Sequence, residues 1–138
     1  MDPKPPRLKT DEPLPMDAVV VRAGISPLDA MRDSAYRHSE DRLDRGLDEE
    51  YALSVEYRLG CTAAEIAIRA TVPHIHRYRQ MRQTTVQRLT DLGFSVVHQG
   101  RPGHGKIKLG GEPTDAILTR VDQAFDAPED NPGYEGTQ

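Results

Sequence analysis

The sequence has a single cysteine, no tryptophan, two phenylalanines, one asparagine and no long apolar run. One thiol, Cys61, cannot close an internal disulfide, so the chain is not a disulfide scaffold. No stretch approaches the roughly eighteen consecutive apolar residues of a membrane helix. The N-terminus carries Pro, Lys and Asp where a secretory signal would need an apolar segment. The expected setting is therefore the cytoplasm, away from any membrane. Lysine is scarce beside arginine, 4 against 14, a bias associated with GC-rich bacterial or phage coding sequences.

A length of 138 residues allows one modest domain. Five of the eleven prolines lie within the first fifteen residues, and the stretch after Phe125 has no apolar periodicity. Residues 1–15 and 127–138 are thus expected to be a disordered leader and tail, leaving about 80 to 110 residues to fold. A large multidomain enzyme is not expected.

What is present is an uneven charge. Between Arg69 and Lys108 stand eight cations, four histidines and one acid, Asp91. That block carries +7 and the remainder −11, within a total of −4. Such asymmetry points to a polyanionic partner, and the competing reading is neutralisation within the chain.

Residues 16–46 read as an extension, with a short strand at Ala18-Val19-Val20-Val21 and then a polar helix started by Ser26-Pro27 and running towards Arg45. From Leu47 the ladder Leu47, Tyr51, Val55, Leu59 steps by four and predicts a helix ended by Gly60. Thr62-Ala63-Ala64-Glu65 matches the capping box of a short second helix, whose Ala63, Ile66, Ala67 and Ala70 face inward. From His74 to Leu92 apolar or packable residues recur at three and four, predicting one long third helix ended by Gly93. Residues 94–98 and 106–109 read as a β-hairpin around a Gly-rich turn, and residues 111–126 hold a closing helix with Ile117, Leu118, Val121 and Phe125.

This order resembles the winged helix-turn-helix family of DNA-binding domains. The matching residues are Thr62 to Ala67 and Val86-Gln87-Arg88-Leu89-Thr90-Asp91-Leu92-Gly93-Phe94, and the resemblance covers about residues 48–109. It implies a mostly α fold with a small β-hairpin (α+β), a winged-helix-like domain over 47–110, a helical N-terminal extension serving a homodimer, and sequence-specific binding of double-stranded DNA in transcriptional or mobile-element regulation.

Side-chain chemistry supports the same expectation independently. Arg77, Gln80, Thr84, Gln87 and Arg88 would share the exposed face of the third helix, where Arg can read guanine, Gln adenine, and Thr a phosphate. Arg101, His104, Lys106 and Lys108 would form a basic wing against the DNA backbone. The alternative is a protein-interaction or assembly module on the same scaffold.

Other constellations carry less. His74 and His76 are two apart, which does not aim them at one metal. Gly103-His104-Gly105-Lys106 lacks phosphate-loop spacing, and Asp48-Glu49-Glu50 reads as the acidic first turn of a helix. Cys61 reads as a small buried residue. No nucleophile, base and orienting group emerge together, so no enzyme, metal or cofactor is expected.

The inward register of the second helix is testable. Ile66→Asp should bury an unpaired carboxylate and unfold the domain, whereas Ile68, on another side, should accept a polar residue. Circular dichroism melts check both, and an Ile66→Asp protein as stable as its parent would refute the register.

Overall fold

The computed structural model describes residues 8–24, 27–70 and 73–135. In chain order the elements are β1 (Val19–Ala23), α1 (Leu28–Asp44), β2 (Ala52–Tyr57), α2 (Ala63–Arg69), α3 (Pro73–His76), β3 (Gln80–Thr85), α4 (Val86–Asp91), β4 (Ser95–His98), β5 (His104–Lys108), α5 (Asp115–Ala124) and β6 (Glu129–Asp130). The strands form one antiparallel sheet in the order β4-β5-β2-β1-β3-β6. The fold is α+β with a six-stranded sheet, which overturns the expectation of a mostly helical winged-helix domain with one small hairpin.

The reasons are local and can be named. Within Leu53-Ser54-Val55-Glu56-Tyr57 apolar and polar residues alternate strictly, and period two prevails over the four-step ladder. Leu47 and Leu59, the ends of that ladder, are 48% and 38% exposed. The expected third helix breaks into α3, β3 and α4. In its middle, Gln80 to Thr85 pairs with all five residues of β1, from Val19 opposite Thr85 to Ala23 opposite Met81. The β-branched run Thr84-Thr85-Val86 favours the extended state, and Thr85 then caps α4 by accepting the Arg88 amide. The β1 segment, read as part of an extension, is a central strand.

Locally signalled elements stand where the sequence puts them. Thr62 and Glu65 form both halves of a capping box on α2, with Ile66 2% exposed and Ile68 59%. Strands β4 and β5 pair as a hairpin, and Thr114 caps α5 through the Ile117 amide. Ser26 and the Thr71-Val72 turn lie outside the described residues; Pro27 precedes α1 without a side-chain cap.

The alternation of β1 divides the core. Val20 packs with Leu53, Val55 and Ile107 of the sheet, Met31 and Ala35 of α1, Leu89 of α4 and Leu118 and Val121 of α5. Val21 packs with Met81 of β3, Ala63, Ile66 and Ala67 of α2 and Ile75 of α3. Each fully buried aliphatic side chain contributes roughly 1.5 to 3 kcal/mol.

The expected disordered ends need correcting over 8–15 and 127–135; residues 1–7 and 136–138 lie outside the described residues. Leu14 is buried in the main core, and its amide donates to the Val96 carbonyl while that of His98 donates to Glu12, so this segment covers the β4 edge. At the other end β6 pairs with β3. The single asparagine, Asn131, is buried and donates to the carbonyls of Ile75 and Tyr78 at 2.7 and 2.9 Å. Among the described residues no helix is long and apolar enough to cross a membrane.

One ionic node ties α1 to the sheet. Lys106, expected on an exposed wing, is 1% exposed. Its ammonium donates to Glu50 Oε1 at 2.6 Å and lies 3.3 Å from Asp11. Glu50 also meets His38 Nε2 at 2.9 Å, Lys108 at 3.6 Å and Arg42 at 3.9 Å, and its amide donates to Ser39 Oγ. Burial pushes the Glu50 carboxyl up, but hydrogen bonds from Lys106 and His38 and the charges of Lys106 and Arg42 outweigh it. They hold it at about 2, against an ordinary 4.5.

Because the folded value is the lower one, this stabilisation is complete above pH 4.5 and is lost as pH falls from there towards 2. Glu50→Gln leaves the buried ammonium with Asp11 alone and should cost on the order of 3 kcal/mol at neutral pH. Urea melts at stepped pH check this: the parent should lose stability between pH 4.5 and 2 more steeply than the variant.

Candidate functional site

A cavity of about 540 Å³ opens beside β1 and β2, within the roughly 300 to 1,000 Å³ usual for small-molecule sites. Three parts of the chain wall it. Helix α1 contributes Ala30, Ser34 and His38, whose spacing of four makes one stripe of mostly small residues. The sheet contributes Arg22, Ser54 and Glu56, and α3 with the turn after it contributes His74, Ile75 and Tyr78. Arg101 and His104, from the β4–β5 turn and the start of β5, complete the wall.

Arg22 is the unusual member. It follows three valines in a central strand, and burial lowers its guanidinium to about 10, with the facing charge of Arg82 adding to the effect. It remains a cation at neutral pH. Among the described residues its one hydrogen bond runs from Nη1 to the Ser54 carbonyl at 2.6 Å, and no carboxylate pairs with it. Arg82, directly opposite on β3, is treated differently. It donates to Asp122 Oδ1 at 2.5 Å and to the carbonyls of Asp122, Phe125 and Asp126, and it lies over the Phe125 ring.

Glu56 sits opposite Val21 on one side and His104 on the other, and Arg101 grips both its oxygens at 2.5 and 3.3 Å. The cavity's one acid is therefore already paired. His104 is lowered by burial and by Arg101 and His98, against an opposing pull from Glu56 and from its bond to the Gln99 carbonyl. His74 is lowered by burial and then by Arg22 and Arg77. Both shifts favour the neutral imidazole, which donates from one nitrogen and accepts at the other.

Tyr78 is fixed by a close approach. Gly24, at φ +78°, lies under its ring so tightly that a Cβ would come 2.8 Å from Tyr78 Cδ1. The His74 ring meets Tyr78 edge-on, with centroids 5.2 Å apart.

Of the residues expected to touch DNA, Arg101 and His104 line this cavity and the others scatter. Arg77 is exposed just after α3. Gln80 opens β3, and its carbonyl accepts the Gly24 amide. Thr84 is buried and donates to the Ala124 carbonyl at 2.6 Å. Gln87 bonds Asp91 along α4, Arg88 pairs with Asp126, and Lys106 and Lys108 pair with Glu50. No single helix carries Arg77, Gln80, Thr84, Gln87 and Arg88, because three elements share that stretch. Five of the eight cations in the basic block, Arg82, Arg88, Arg101, Lys106 and Lys108, form ion pairs inside the chain.

Sequence reasoning did not single out Arg22, Glu56 or Tyr78. The available signal was a charge at the end of a buried β-branched run, Val19-Val20-Val21-Arg22, followed two residues later by Gly24. His76, weighed as a metal ligand, has both ring nitrogens bonded to backbone carbonyls, those of Gly133 and Ala70. Comparison with known proteins returns no match to any protein-family model, curated protein or solved structure.

Proposed function

We propose that this chain binds a phosphate-bearing ligand in the cavity beside β1, with Arg22 as the anchor. The observation that carries the reading is a half-buried arginine in a central strand, facing a like charge and holding one backbone acceptor, at the wall of a cavity of ligand size. Drawing a charge out of water without a counter-charge is costly, and a group so placed at a cavity wall marks a candidate site. A guanidinium has five N–H donors, so four remain after the bond to Ser54. They outnumber the two oxygens of a carboxylate and suit the several oxygens of a phosphate. The nearby neutral His74 and the Ser34 hydroxyl add donors that need no counter-charge.

A second reading, binding of double-stranded DNA, is favoured by one observation. Arg69, Arg77 and Arg79, the rest of the basic block, are exposed and form no salt bridge among the described residues, though Arg69 lies near the Glu65 carboxylate. Three phosphate contacts would give a log affinity against log salt slope of about −3 at most. That binding would be indifferent to Arg22.

The anchor makes a prediction that a structural arginine would not. Arg22→Met should weaken inorganic phosphate and pyrophosphate by about 10- to 100-fold in calorimetric titration. It should also leave the ligand-free protein as stable as the parent, or raise its melting temperature by about 4 °C, because a partly desolvated charge without a counter-charge is removed. A parent that takes up neither anion, or a variant that melts far below it, would contradict the reading.

A further inference from the structure

We infer that the phosphate-bearing ligand is a nucleotide whose base stacks at Tyr78, an inference that rests on the anchoring role of Arg22. The starting point is an aromatic ring 41% exposed at a cavity wall yet held on two sides. Gly24 admits the ring at a distance no other residue would allow, and its positive φ is itself a glycine conformation. His74 packs edge-on and limits its rotation. Position 24 thus fits this one ring closely, while the ring leaves much of its apolar surface uncovered.

The placement relative to Arg22 sets the two ends of the ligand. Gly24, which seats the Tyr78 ring, follows β1 one residue after its last member, and Arg22 lies within that strand. Both line the cavity. A phosphate at the guanidinium and a flat ring at Tyr78 would then occupy one cavity of about 540 Å³, which is of nucleotide size. The same cavity wall carries the Glu56 carboxylate held by Arg101, whose oxygens can accept hydrogen bonds from sugar hydroxyls. A simple sugar phosphate would satisfy Arg22 and leave Tyr78 bare. A nucleotide satisfies both, and stacking of a base on an aromatic side chain is tolerant of which base it is.

The experiment compares inorganic phosphate, ribose 5-phosphate and AMP by calorimetry on the full chain. AMP should bind about tenfold or more tightly than ribose 5-phosphate, the gain expected from one stacked base. Tyr78→Ala should bring AMP down to the level of ribose 5-phosphate without weakening the latter, and Tyr78→Phe should restore the difference. An adenylate RNA tetramer that displaces AMP assigns the nucleotide to a strand, and one that does not assigns it to the free pool; either outcome supports the nucleotide. Equal affinity for AMP and ribose 5-phosphate in the unaltered protein would overturn the inference while leaving Arg22 as a phosphate anchor. Failure of all three ligands to bind would remove the anchor as well. The comparison within the unaltered protein decides the matter even if Tyr78→Ala does not fold.

Discussion

A buried ammonium cannot be left alone in a protein interior, and Lys106 is almost completely enclosed. Its requirement for Glu50 constrains much else. Glu50 lies just before β2, which pairs with β5 from Ala52 opposite Lys108 to Glu56 opposite His104. The same carboxylate reaches His38 and Arg42, one turn apart on α1, and the backbone there is tied to Ser39. The node therefore fixes α1 along the approach to β2. His38 belongs both to that node and to the stripe Ala30, Ser34, His38 that walls the cavity. An ion pair bridging residues 50 and 106 in this way sets the position of one side of the site.

The two arginines facing each other across β1 and β3 illustrate how the same charge serves two ends. Arg82 has a carboxylate, three carbonyls and an aromatic ring around it, which amounts to a clamp between β3 and the end of α5. Arg22 has one carbonyl and open space. Beside Arg22 a small cavity is lined by Met31, Val121 and Phe125 together with Arg82 and Asp122, and the Asp122 carboxylate is taken by Arg82. The presence of Arg22 in a central strand at the cavity wall, without a carboxylate partner among the described residues, is the physical ground for reading the cavity as a site.

How much of this was legible in the sequence depends on the range of the interaction concerned. The capping box at Thr62 and Glu65 and the periodicity of α5 are signals carried within a few residues and place their helices, whereas the alternation at 106–109 finds a strand that begins earlier, at His104, and buries Lys106. The stretch from His74 to Leu92 failed because a plausible three-four spacing is compatible with several short elements, and pairing to β1 some sixty residues earlier decided among them. Charge misled for the same reason. The basic block looked unbalanced because its partners, Glu50, Glu56, Asp122 and Asp126, are distant in sequence. Arg101 and His104 carry a local signal, a basic Gly-rich turn, whereas nothing near Arg22 in the sequence marks Val19 to Ala23 as a central strand.

The central claim is that Arg22 holds an anion. The most direct measurement is a crystal structure of the protein grown with saturating AMP. The account predicts the phosphate within about 3 Å of the Arg22 guanidinium, with the base against Tyr78. A phosphate bound elsewhere on the surface, with Arg22 still bonded to the Ser54 carbonyl alone, would contradict it.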